Sequence, residues 1–133
     1  MELDQVSDVI RAGLTYERSR VEVASHNLAM ANVALPPGVA SPLQAAAMPS
    51  LFSQHLGLPK NELQATEARL HEVRLAHEPG HPLADMDGMV RYPKLDAARE
   101  MATLVSATRA YESNIRAYNS LRAMTLKAFE IGK

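Results

Sequence analysis

The sequence predicts a mainly α protein: two long terminal helices packed as an antiparallel coiled-coil-like pair, joined by an irregular Pro-rich middle containing short helices. Three observations carry that reading. Apolar residues recur with the helical period near the N-terminus, a heptad repeat runs through the C-terminal third, and all eight prolines lie between the two. Aromatics are scarce (four Tyr, two Phe, no Trp), while Ala, Leu and Met are plentiful. A core with few large anchors suits helix-on-helix packing better than a sandwich or barrel.

The first helix is expected over residues 1–33. Leu3, Val6, Ile10, Leu14, Val21, Ala24 and Leu28 follow steps of three, four and seven, with Glu2, Asp8, Arg11, Arg18 and Glu22 opposite. Gly13 weakens this helix by about 1 kcal/mol relative to Ala. Asn27 and Asn32 are poor interior helix residues, because Asn competes with the backbone for hydrogen bonds. Asn32 suits a helix end in the left-handed conformation. Asn27, a turn and a half earlier, suits a contact with a closely packed neighbouring helix.

Residues 34–94 form the connecting segment. Pro36, Pro37, Pro42, Pro49, Pro59, Pro79, Pro82 and Pro93 bar any long element from crossing it. Two short helices are expected within it. One is MPSLFSQHL, begun by Pro49 and Ser50; the other runs from Asn61 to His77, with Leu63, Leu70, Val73 and Ala76 as its thin apolar stripe. EPGHPLADMDG, which follows, carries loop signals throughout.

The last unit, residues 95–133, packs with the first as one helical body. Asp96 stands at its N-terminus, where a carboxylate meets the helix dipole favourably. Ala97, Met101, Leu104, Thr108, Tyr111, Ile115 and Tyr118 then alternate steps of four and three, a heptad seam. The stripe drifts to Leu121, Met124, Ala128 and Ile131, and Gly132 ends it. Neither long helix buries its stripe alone, so each is expected to pack on the other.

Composition excludes several functions. Formal net charge is −1, so no basic footprint points to nucleic acid. The absence of cysteine removes thiolate catalysis and Cys-based metal sites. No apolar run approaches the ~20 residues of a membrane span, and MELDQVSDVI has neither the positive start nor the apolar core of a cleavable signal peptide. His71, His77 and His81 lie beside Glu72, Glu78, Asp85 and Asp87, but HExxH fails because Leu75 stands where the second histidine belongs. DMDG fails as a calcium loop because its Gly follows Asp85 by three positions. No Ser sits in a Gly-x-Ser-x-Gly turn, and no Gly-rich phosphate loop exists. No enzyme activity, cofactor or metal is expected.

The run SRVEVASHNLAMAN (Ser19 to Asn32) resembles the segment shared by bacterial flagellar rod, hook and hook-associated proteins, usually ASNNLANANTPGY. From Asp87 to Lys133 the chain is similar to the tail of the proximal-rod members. Gly88, Val90 and Pro93 match their turn; Glu100, Met101, Ser106, Ala107, Arg109, Tyr111, Asn114, Met124 and Lys127 match their helix. HEPGHPLADMDG resembles the loop that precedes that helix. The departures are ALPPG in place of TPGY, His26 and Met30 in place of Asn, and the Ala/Pro-rich ASPLQAAAMPS.

The resemblance implies a structural subunit of the flagellar basal-body rod, self-assembling through its terminal helices into a torque-transmitting helical tube. It implies a place in the periplasmic rod, passage through the type III export apparatus, and other rod subunits and basal-body components as partners. The expected assembly residues are Leu14, Val21, Ala24, Asn27, Leu28 and Asn32 on the first helix. On the last they are Met101, Leu104, Thr108, Tyr111, Asn114, Ile115 and Tyr118. A free-standing helical adaptor or divergent rod paralogue, binding one partner helix in a secretion or motility complex, is the alternative.

Overall fold

The computed structural model describes residues 2–46 and 70–131. Helix α1 spans Glu2–Met30, strand β1 Val73–His77, strand β2 Met89–Pro93 and helix α2 Ala97–Ile131. Asp96 caps α2 as expected: its Oδ1 accepts from Arg99 N–H at 3.0 Å, while its carbonyl accepts from Glu100 N–H at 3.0 Å. At 35 residues α2 is roughly 50 Å long.

α1 and α2 pack antiparallel. Arg11 reaches Tyr118, Gly13 meets Asn114, Arg20 reaches Ser106 and Asn27 meets Glu100, so positions rising along one helix pair with positions falling along the other. The seam on α2 runs through Glu100, Leu104, Ala107, Tyr111, Asn114, Tyr118, Leu121 and Thr125, all buried or partly buried. It is a four-three repeat, but rotated from the expected one. Leu104, Tyr111 and Tyr118 belong to both lines, whereas Ala97, Met101, Thr108 and Ile115 are exposed. The cause is close approach. A Cβ on Gly13 would stand 3.2 Å from Asn114 Nδ2, and Ala24 and Ala107 are buried. Small side chains set the contact line, where a count of bulky apolar residues selects the neighbouring stripe.

The middle holds a hairpin that the sequence reading missed. β1 pairs antiparallel with β2, from Val73 opposite Pro93 to His77 opposite Met89. The helix expected from Asn61 to His77 is therefore corrected at its end, where Val73–His77 is strand; residues 61–69 lie outside the described residues, as does the helix expected at MPSLFSQHL. Strand pairing overrides the weak helical stripe because β2 alternates, turning Val90 and Tyr92 inward and closing on buried Pro93. Val90 is 0 % exposed. Leu35, also buried, donates its N–H to Arg91 O at 2.8 Å and extends the ladder by one bridge.

EPGHPLADMDG is the loop expected, and it is tightly bonded. Glu78 N–H donates to Gly88 O at 2.8 Å, and Asp85 Oδ1 accepts from Asp87 N–H at 3.0 Å and Met89 N–H at 2.8 Å. Gly88 has φ 72°, and a Cβ there would stand 3.0 Å from Pro79 Cβ and 3.1 Å from His77 Cε1. His81 Nδ1 accepts from Leu83 N–H at 3.1 Å within the same loop. No helix among the described residues is long and apolar enough to cross a membrane.

Candidate assembly surface

Two kinds of side chain line the helix pair. Those facing inward include many small or polar ones between the leucines. Glu17 and Arg20 form a partly buried ion pair at 2.8 Å. Arg20 also donates to Ser106 Oγ at 3.3 Å and lies 5.8 Å from the Tyr16 ring centre. Further along, Arg11 Nη2 approaches Tyr118 Oη at 3.5 Å, and this guanidinium draws the Tyr118 phenol below its ordinary pKa. Asn114 fills the notch left by Gly13. Such contacts select a register between helices better than they stabilise it, because each polar group exchanges a water partner for a protein one.

Asn27 stands at the end of this seam and is 1 % exposed. Its Nδ2 donates to Gln44 O at 2.9 Å, and its Oδ1 accepts from Gln44 N–H at 2.9 Å. Glu100 on α2 lines the same cleft as Asn27. Both hydrogen bonds of the Asn27 amide go to Gln44, in a non-helical segment of the same chain. Burial raises the Glu100 carboxyl above its ordinary range, and the nearby Asn27 amide opposes that rise. Asn32 is exposed, with Oδ1 accepting from Arg74 Nη2 at 3.2 Å. No non-glycine residue among those described has a positive φ, so the expected left-handed helix end at Asn32 is corrected. α1 closes through turn bonds from Ala31 N–H to Leu28 O at 3.4 Å and Val33 N–H to Met30 O at 3.1 Å.

The remaining expected residues divide between two faces. Leu14, Val21, Ala24, Leu28, Leu104, Tyr111, Asn114 and Tyr118 lie on or beside the α1–α2 seam, buried or partly buried. Met101, Thr108 and Ile115 lie outside it. With Val105 they form an apolar stripe on α2, with Met101 58 % and Ile115 37 % exposed. Leu126 and Phe129, also exposed, extend apolar surface toward the C-terminal end. Surface ion pairs flank both helices: Arg18–Glu22 at 2.8 Å and Arg116–Glu112 at 3.8 Å. Both are open to water and screened by salt, so they add little to stability.

Gly13, Glu17, Arg20, Glu100 and Ala107 are seam residues that apolar periodicity overlooked. Their side chains are small or charged, so a count of apolar residues passes over them. Among the described residues no group of three or more His, Cys, Asp or Glu is arranged to hold a metal ion. The histidines serve elsewhere, His77 in β1 and His81 in the loop turn.

No family model matches the chain. Curated relatives do. The chain is 30 % identical over 135 residues to the flagellar basal-body rod protein FlgC of Escherichia coli O6:H1, with both chains covered in full. It is 31 % identical over 136 residues to the same-named protein of Salmonella typhimurium strain LT2, again covering both entirely. Against the Bacillus subtilis strain 168 protein of that name the identity is 44 % over 62 residues, covering 47 % of this chain and 41 % of the relative.

Proposed function

This chain belongs to the FlgC family of flagellar basal-body rod proteins, and we propose that it polymerises through its terminal helices into a helical tube that transmits torque. The observation that supports this reading most is the outer stripe of α2. Met101, Val105 and Ile115 are more apolar than the seam that α1 covers, yet they face outward. An apolar stripe at helical spacing that a protein leaves in water marks an interaction face. In the rod its partner is a helix of a neighbouring subunit, and the contact is heterologous, so that each copy still offers a free face to the next.

The assembly residues divide accordingly. Met101, Thr108 and Ile115 contact a neighbour directly. Leu14, Val21, Ala24, Leu28, Leu104, Tyr111, Asn114 and Tyr118 hold the pair that presents them, and Asn32 lies at its rim beside the hairpin. Function consists of load transmission through helix packing, with no turnover chemistry. The partners are other rod subunits and basal-body components in the periplasmic rod, reached through the flagellar export apparatus.

The test pairs Met101→Asp with Ile115→Asp. Both side chains are exposed, so the circular dichroism and melting of the double variant should match wild type. Concentration-dependent filaments, followed by sedimentation and electron microscopy, should disappear, and motility should be lost on complementation. A double variant that polymerises and swims like wild type would refute the reading. A saturable one-to-one complex with a single partner helix, without polymer, would favour the adaptor alternative.

A further inference from the structure

The loop between β1 and β2 carries a preformed acidic tip. Met86 is 105 % exposed, and Asp85 and Asp87 stand on either side of it, both exposed. The backbone beneath is fixed: Asp85 Oδ1 accepts from two N–H groups, and Gly88 N–H donates to Asp85 O at 3.0 Å. A side chain presented on a bonded loop has little order left to gain on binding. Methionine, unbranched and polarizable, also fits irregular apolar recesses. The Asp87 carboxylate makes no hydrogen bond or ion pair among the described residues.

A recess of complementary character lies at the far end of the helix pair. A cleft of about 190 Å³ opens between the start of α1 and the last third of α2, lined by Ser7, Arg11, Tyr118, Leu121, Arg122 and Leu126, among others. Arg11 and Arg122 come from different helices and act on the same hydroxyl. The Arg11 hydrogen bond draws the Tyr118 phenol below its ordinary pKa, and the Arg122 charge adds to that. Arg11 has a loose partner in Asp8, 4.0 Å away and exposed like itself. Arg122 has no ion pair or hydrogen bond among the described residues. Two guanidiniums set around Leu121 and Leu126 present the inverse of two carboxylates set around Met86. Guanidinium grips carboxylate through two parallel hydrogen bonds, so the match is one of geometry as well as sign.

Tip and cleft do not meet within one chain. The hairpin is tied beyond the C-terminal end of α1, through Arg74 to Asn32 at 3.2 Å and through Leu35 to Arg91 at 2.8 Å. The cleft opens around Ser7 and Arg11, roughly 30 Å back along α1 at ~1.5 Å per residue. An acidic tip at one end and a basic cleft at the other are joined only between copies. Such a contact is heterologous, and each added copy carries a free tip and a free cleft for the next.

We propose that the Asp85–Met86–Asp87 tip of one copy docks in the Arg11–Arg122 cleft of the next, Met86 entering between Leu121 and Leu126 while Asp87 pairs with Arg122. The proposal rests on the assembly reading above and adds a second contact to the outer stripe of α2. Charges at such a rim act mainly by selecting the partner, and a like charge set opposite repels.

The experiment has two arms, both on the full chain. In the first, Asp87→Arg and Arg122→Glu are made singly and together. Both side chains are exposed, so circular dichroism and melting should match wild type. Each single reversal should raise the concentration at which polymer appears by about tenfold or more, and the double reversal, which restores opposite charges, should recover most of that loss. In the second arm, the absence of native cysteine allows site-selective trapping. A Met86→Cys copy mixed with a Leu126→Cys copy under mild oxidation should give several-fold more disulfide heterodimer than one mixed with Val105→Cys, a position of exposure comparable to Leu126. The excess should shrink as salt is raised.

A double reversal as impaired as the singles, or equal trapping at Leu126 and Val105, would overturn the docking. Wild type that still polymerises would then leave the rod-subunit reading standing. Failure of wild type to polymerise would strike that reading, while the trapping arm would still decide whether tip meets cleft.

Discussion

The hairpin and the helix pair hold themselves together in different ways. Between residues 72 and 94 the chain closes on itself. Val90 and Pro93 are fully buried, Tyr92 Oη donates to Glu78 Oε2 at 3.0 Å, and the Arg74 guanidinium stacks 4.6 Å from the Tyr92 ring centre. Lys94 ties back to Glu72 twice, through its backbone N–H at 3.0 Å and its ammonium at 2.7 Å. The helix pair is far longer, yet Ala24 and Ala107 are its buried apolar residues among those described, and much of its apolar surface faces water. The lesson concerns where order comes from. A short hairpin with a few dense contacts is complete within one chain, whereas two long helices joined along a narrow polar seam have faces left for others.

The largest effect should come from the hairpin core. Val90→Ala removes buried methyl groups and leaves a cavity, with an expected cost of roughly 2 kcal/mol. Chemical denaturation should show that loss. Hydrogen exchange should place it first in β1, β2 and Leu35, and equal loosening of α2 along its length would break the contrast. Gly88→Ala comes next, at about 1–2 kcal/mol, because its backbone is left-handed and its Cβ would meet Pro79 and His77. A melting curve matching wild type would show that the loop yields freely.

Changes on the helices should cost less. Asp96→Ala deletes the cap of α2, with an expected loss of about 1 kcal/mol that Asp96→Asn or Asp96→Ser restores. Fraying should appear in the first turn of α2 by amide exchange. Arg18→Ala breaks an ion pair exposed on both sides and should leave the denaturation midpoint nearly unchanged. A larger shift would mean that this face of α1 is stiffer than its exposure implies.

What could be read beforehand follows the range of the interactions. The helix at each end, the cap at Asp96 and the loop at EPGHPLADMDG all depend on residues within a few positions of one another. Their signals lie on adjacent letters. The hairpin did not show itself because Val73–His77 has a helical-looking stripe and becomes strand only against β2, across an eleven-residue connection. The seam was placed one stripe away because Met101 and Ile115 outweigh Ala107 and Asn114 in any count of apolar size. The thirteen assembly residues, chosen as one surface, fall on two faces once α2 is oriented.

The sequence by itself determined the two helices, the cap at Asp96, the loop at EPGHPLADMDG and the family resemblance, because each is written in local spacing or in motifs met in order. Only the tertiary structure decided which stripe of α2 meets α1, which strand pairs with β2 and where the amide of Asn27 is spent. Those outcomes depend on how closely distant backbones approach. That distance is set by Gly13, Ala24 and Ala107 acting together, with no trace in the spacing of any one segment.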